Sequence, residues 1–350
     1  MSATVTFLPS TTATAIPSCV TATPNKYGYV PPEACNAQWA YSPSFSAAIA
    51  YAVLFGILTI TQTALAIFHR KGFCWAMIMG ALWELVAFVS RAMAAHNQQS
   101  AALSFVSNIF FLLAPLWINA FAYMTAGRMI WTFHPDKAIW KIKAISIGKY
   151  FVWLDILSFL VQGIGGTMLN PGNDASAMKL GQNIYMAGVG GQQFFIVLFT
   201  ALIVRFHLDM GRLQKVGMMQ PTTLRWKTLA YALYAVLALI SMRIIYRLIE
   251  FSAGAGVSNP LPYHEIYPLI LDAFPMVTAI TILTVIHPGM VLKGPESEFP
   301  SRKETRAAKK AKKAEKKAAK NKGFMGLDSN YEPTRVLGYN HVWKHVVDQP

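Results

Sequence analysis

Arg243-Ile244-Ile245-Tyr246-Arg247-Leu248-Ile249-Glu250 closes an apolar run that begins near Trp226. The run is long enough to cross a bilayer, which takes about 20 residues of helix. Two arginines and a glutamate therefore sit inside a membrane helix or at its rim. At 100° per residue, positions 243, 247 and 250 share one face. A charge turned toward lipid costs roughly 2.5–3.5 kcal/mol even on lenient insertion scales, so that face looks inward, toward partners or water. Partners for these charges require further spans, and the rest of the chain supplies them.

Seven apolar runs of spanning length occur in all: Ser44–Phe68, Phe73–Ala95, Leu103–Trp131, Ser146–Met168, Gln182–Val204, Trp226–Glu250 and Ile266–Pro288. The fold expected is all-α, a polytopic seven-transmembrane helix bundle over residues 44–292. His69-Arg70-Lys71-Gly72 is too short for anything but a turn, so the first two spans are antiparallel neighbours. Residues 1–43 are rich in Thr, Ser and Pro, lack periodicity and read as a disordered segment. Residues 293–350 read as a basic tail.

Charged residues make up 13% of the 350, against about 25% in soluble domains. Mean hydropathy is +0.36. Fourteen of the 31 Lys and Arg follow Leu292, against seven of the 16 acids, so the tail carries +7 of the net charge of +15. That distribution marks a membrane protein with a basic tail and argues against a nucleic-acid partner. The loops after spans one, three and five hold Arg70 and Lys71; Lys137, Lys141 and Lys143; and Arg205, Arg212, Lys215 and Arg225. Those after spans two, four and six hold Lys179 alone. The positive-inside rule then places the N-terminus outside and the C-terminus in the cytosol. Cys19 and Cys35 would lie outside, where a bridge can form. Cys74 opens the second span as a small packing residue. No basic segment followed by a short apolar core marks a signal peptide.

The tail stretch Arg302–Lys322 favours helix but has no apolar face. It reads either as a solvated helix that enforces topology or as a clamp on anionic inner-leaflet lipids.

Inside the spans the polar residues fall on single faces. Span two has Glu84 and Arg91, seven apart. Span four has Asp155, Ser158 and Gln162, followed by Gly163-Ile164-Gly165-Gly166. Span three offers Asn119, span five Gln192, and span seven Asp272. With the N-terminus outside, Glu84, Asn119, Asp155 and Gln192 lie near mid-membrane. Arg91, Gln162, Arg243, Arg247, Glu250 and Asp272 lie in the outer half, and the inner half holds almost nothing ionisable. Glu84, Asp155, Glu250 and Asp272 nearly balance Arg91, Arg243 and Arg247, which implies ion pairs rather than a charged pore. These ten residues are the candidate substrate-binding set, converging on a cavity open to the outer side. Arg247–Glu250 also reads as a pair within one helix turn, and any of the set can serve only to clip helices together. Glu84 and Asp155 are the best placed for direct substrate contact.

Other chemistries lack their residues. The histidines lie in loops, at span ends or in the tail, so no intramembrane metal site is expected. Span seven has no lysine for a Schiff base, and no Walker A or GxSxG motif occurs. The chain reads as a non-enzyme without a cofactor.

From Tyr27 to Gly289 the chain resembles the fungal RTA-like seven-helix proteins, described as lipid-translocating exporters. The motifs are ELVAFVSR (84–91), LLAPLWINAFAYMTAGRMI (112–130), DILSFLVQGIGG (155–166), GQNIYMAGVGGQQ (181–193), RIIYRLIE (243–250), Glu265 through Asp272, and His287-Pro288-Gly289. The family's usual Gly-Tyr before the arginine is Ala87-Phe88 here. The resemblance implies movement of, or resistance to, amphipathic lipids, sphingoid bases and phospholipids foremost, and porphyrins in one branch. Membrane lipids and an amphipathic small molecule are the partners expected, at the plasma membrane. A cationic head would suit Asp155 and Glu84, and a phosphate or hydroxyl Arg243 and Arg247. The alternative is a receptor-like sensor of amphipathic ligands, with the basic loop Arg205–Lys227 meeting a cytosolic protein.

Overall fold

The computed structural model describes residues 20–25, 28–31, 34, 36–169, 174–217, 225–252, 260–292, 294 and 297–300, with positions 304, 306, 307, 310, 311 and 313–315. Cys19, Cys35 and most of the basic tail lie outside the described residues. One compact unit ends at Phe299; in the other, Pro300–Pro350, the described positions 304–315 are helical.

Seven helices are long and apolar enough to cross a membrane. They are α1 (Phe45–His69), α2 (Trp75–Ala95), α3 (Ala101–Phe133), α4 (Ala144–Met168), α5 (Ala175–Lys215), α6 (Arg225–Ser252) and a composite seventh span, Ile266–Val291. The protein is thus a multi-pass, all-α membrane protein. Each helix packs on the next, the seventh span returns to α1, and α3 meets α6 across the bundle. Apolar residues face both ways. Phe55, Phe121 and Phe199 fill the core, while Ile60, Phe68, Trp153 and Phe194 stay exposed, as a lipid-facing surface requires. Threonines on that surface turn their hydroxyls back to the carbonyl four residues earlier, as Thr61 does to Ile57 and Thr281 to Val277.

Ser44 and Ser100 cap α1 and α3 by accepting from the amides of Ala47 and Leu103. The α1–α2 connection is as tight as its sequence implies, with Arg70 in the left-handed conformation at the α1 C-cap. Three features depart from the sequence reading. Helix α5 runs on to Lys215, so the first half of the expected basic loop is helix. The apolar period continues there through buried Phe206 and Met210, and Arg205 pairs with Asp209 one turn on at 3.0 Å. The loop after α3 contains a two-residue hairpin, β1 (Ala138–Ile139) with β2 (Ile142–Lys143). The seventh span is broken into α7 (Ile266–Pro268), a π-helical turn (Leu269–Ala273), α8 (Phe274–Val285) and α9 (Pro288–Val291).

The α4–α5 seam is built by glycine. A Cβ on Gly165 would fall 2.4 Å from the amide nitrogen of Tyr185, and one on Gly188 2.8 Å from Cγ of Gln162. The two backbones approach closely only because neither residue has a side chain. That approach brings Gln162 on α4 opposite Gln192 on α5.

Candidate functional site

The arginines of α6 meet the seventh span at its irregular turn. Asp272 lies within the π-helical segment and is fully buried. Such turns are local insertions in a helix and recur at functional positions. Arg243 Nε donates to Asp272 Oδ1, and Arg247 Nη2 lies 2.5 Å from Asp272 Oδ2. Arg247 Nη1 donates to Glu250 Oε2 at 3.0 Å, the expected intrahelical pair, and the Tyr246 hydroxyl donates to Glu250 Oε1 at 3.0 Å. The seventh-span carboxylate thus receives both guanidiniums, while the α6 carboxylate supports the second.

Helix α3 supplies one more partner. Arg243 Nη2 donates to the carbonyl oxygen of Phe111 at 3.2 Å. That oxygen is free because Pro115, four residues on, has no amide hydrogen to give it. A proline inside a membrane helix is tolerated where a neighbour satisfies the carbonyl it releases, and here the neighbour is Arg243.

Beside this cluster is a small cavity of ≈ 20 Å³, room for about one water. Its polar wall is Gln162, Tyr185, Gln192, Arg243 and Arg247, and its apolar wall includes Leu112 and Pro115. Gln162 Nε2 donates to Gln192 Oε1 at 3.1 Å across the glycine seam. Four of the expected site residues therefore line one space, and Asp272 and Glu250 are ion-paired to its arginines. The space is narrow. It is far below the roughly 300 Å³ at which small-molecule pockets begin.

The other four expected residues lie elsewhere. Glu84 is fully buried in α2, and the charges acting on it are Arg243, Asp272 and Arg247. Asp155 forms a separate cluster, accepting at Oδ2 from Asn119 Nδ2 and the Tyr123 hydroxyl, each at 2.9 Å. The rings of Phe151 and Phe199 pack around Tyr123 at 5.4 and 4.5 Å. Arg91 stands at the end of the bundle where α1 begins. It donates to Glu265 Oε1 at 3.0 and 3.1 Å and to the Tyr41 hydroxyl, and lies over the Trp39 ring. Glu265 also accepts from the Ser44 amide, tying together the starts of α1 and the seventh span and the end of α2.

The sequence reading passed over Tyr123, Tyr246 and Arg128. Arg128 lies near the end of α3 at the opposite end of the bundle, so that half does hold a partly buried charge. Its guanidinium is sandwiched between Phe73 and Phe299 at 4.0 and 4.8 Å. Its presence in the run Leu103–Trp131 was the available signal. His287 caps α9 through Nδ1, which accepts from the Gly289 amide. Among the described residues no three His, Cys, Asp or Glu side chains are grouped to hold a metal ion.

The model of the family described as "RTA1 like protein" matches residues 77–295, which contain the cavity, the ion pairs of α6 with Asp272 and the Asp155 cluster. The chain belongs to that family. It is 42% identical over 313 residues to a probable lipid transporter, atnI, of Emericella nidulans, covering 87% of this chain and 81% of that protein. It is 24% identical to the sphingoid long-chain base transporter RSB1 of Saccharomyces cerevisiae, over 80% of this chain and 82% of the relative. Protoporphyrin uptake protein 1 of the same yeast is 27% identical over 59% of this chain and 65% of its own length. No solved structure matches the chain.

Proposed function

We propose that this RTA1-family protein moves amphipathic lipids, sphingoid long-chain bases or phospholipids, across the membrane. The polar head enters at the cavity between α4, α5 and α6 while the tail stays in lipid. The observation that carries this reading is the meeting of Gln162, Gln192, Arg243 and Arg247 on one space inside the bundle. Purely structural ion pairs need no cavity beside them. The names of atnI and RSB1 support lipid transport and, in the second case, a long-chain base.

For a head group to enter, the space must widen. Gln162 and Gln192 then exchange their mutual hydrogen bond for bonds to the ligand, and Asp272 and Glu250 hold the arginines' charge in balance. Asp155 with Asn119, and Arg91 with Glu265, act as fixed fastenings at its flanks. The N-terminus faces the exterior of the plasma membrane: Arg70, Lys71, Lys137 and Lys143 all lie at the end opposite the start of α1. The basic tail then meets anionic lipids of the inner leaflet.

The test is purified protein in liposomes with a fluorescent long-chain base or phospholipid in one leaflet. Movement above the protein-free rate is expected, and its absence for both lipid classes would remove the proposal. The small size of the cavity favours a second reading, a sensor that binds an amphipath without moving it. Saturable binding without transfer, together with ligand-dependent recruitment of a cytosolic protein, would select it.

A further inference from the structure

Glu84 is the buried carboxyl that both the ion pairs and the hydrogen bonds leave out. It sits at the middle of α2, fully buried, and neither carboxyl oxygen has a hydrogen-bond partner. The neighbouring acids are all answered: Asp272 by two arginines, Glu250 by Arg247 and Tyr246, Glu265 by Arg91, and Asp155 by Asn119 and Tyr123.

The charges that act on Glu84 come from Arg243 and Arg247 on α6 and from Asp272 in the π-helical turn. Helices α1 and α3 also pack against α2. The only charged or histidine side chains on them are His69, at the far end of α1, and Arg128, held between Phe73 and Phe299. The tyrosines there are engaged elsewhere, Tyr51 with the Leu269 carbonyl and Tyr123 with Asp155. Arg91, on α2 itself, belongs to Glu265.

The two arginines of α6 are already balanced by Asp272 and Glu250. A bare carboxylate at Glu84 would add an uncompensated charge to a dry membrane interior, which is costly. Glu84 must therefore carry a cation, and either a proton or an alkylammonium leaves the site's total charge the same. Arg243 connects the cavity to this face of α2: it lines the cavity and donates to the Phe111 carbonyl, and the Phe111 ring packs on Phe88, one helical turn after Glu84.

We propose that Glu84 exchanges one proton for the cationic head of one amphipath, which makes the protein a proton-coupled exchanger. The exchange rests on the transport reading above. As the ammonium head arrives, the carboxyl O–H bond breaks and its proton passes to water. When the head leaves, a proton from water restores the bond. The cycle needs no other reactant.

The test uses the purified full chain in nanodiscs, weakly buffered at pH 7, titrated with N,N,N-trimethylsphingosine. This probe is a permanent cation with no ammonium proton, so released protons come from the protein. About one proton per bound probe is expected from the wild type and from Glu84→Asp. Glu84→Gln, checked for an unchanged melting temperature, releases none. Binding by the wild type without proton release overturns the exchange and leaves the transport reading standing. Equal release from a folded Glu84→Gln variant also overturns it. Absence of binding overturns both. If Glu84→Gln does not fold, the wild-type stoichiometry alone decides.

Discussion

Two buried polar clusters hold this bundle together, and they are built from opposite materials. The one between α6 and the seventh span is fully charged, with two guanidiniums set against Asp272 and Glu250 and a cavity at its side. The one between α3 and α4 has no cation at all. Asp155 is met by an amide and a phenol, and the phenol is packed among aromatic rings. Charges that balance within the cluster can part and re-form around a guest head group, because each has an alternative polar partner nearby. A single acid gripped by neutral donors has nothing to exchange. The difference teaches that residues of similar type, deep in neighbouring spans, serve different tasks. On the proposed function, the charged cluster belongs to the transport site and the neutral one fixes helix register.

The largest test of this contrast is Asp272→Asn. It leaves Arg243 and Arg247 facing a neutral amide, and removing one side of a buried pair costs about 3–5 kcal/mol. A sharp loss of thermal stability in nanodiscs is expected, with partial recovery when Arg243→Gln is added. A smaller cost follows from Gly188→Ala, which forces a methyl against Gln162 and separates α4 from α5. Overpacking of this kind costs about 1–3 kcal/mol, and the melting temperature reads it.

Asp155→Asn is expected to cost only about 1 kcal/mol, because hydrogen-bonding groups remain at every position. Transport per molecule at the membrane should stay at the wild-type level. A large loss of transport at normal stability would place Asp155 at the substrate and erase the distinction between the clusters. The smallest stability effect belongs to the double variant Gln162→Leu/Gln192→Leu. Replacing both partners of a buried hydrogen bond by apolar groups is close to neutral for folding. Its transport rate should nevertheless fall, since the cavity then loses both of its amide side chains.

Much of this was readable in the sequence. Periodicity alone puts Arg243, Arg247 and Glu250 on one face and Asp155 and Gln162 on another, and the intrahelical Arg247–Glu250 pair follows from its spacing. The seven spans follow from length and hydropathy. Periodicity within a helix is silent on which helix it faces, so the pairing of Arg243 with Asp272, 29 residues away, was not legible. Nor was the separation of Asp155 from the arginines, which depends on how α3 crosses the bundle. Two clues were present but easily overlooked. Pro115 frees the carbonyl of Phe111, and Pro268 and Pro275 flank the turn that presents Asp272. The continuation of α5 past Val204 was hidden by charge, because Arg205, Asp209 and Arg212 resemble a loop until their helical spacing is counted.

The most direct measurement is photocrosslinking with a long-chain base that carries a diazirine next to its head group, followed by peptide mapping. The predicted adducts fall on the cavity wall, at Phe159, Tyr185, Val189 and Ile244, and are competed away by unlabelled base. Adducts confined to lipid-facing residues such as Ile60 and Phe194, or gathered around Asp155 at Phe151 and Phe199, would contradict the account.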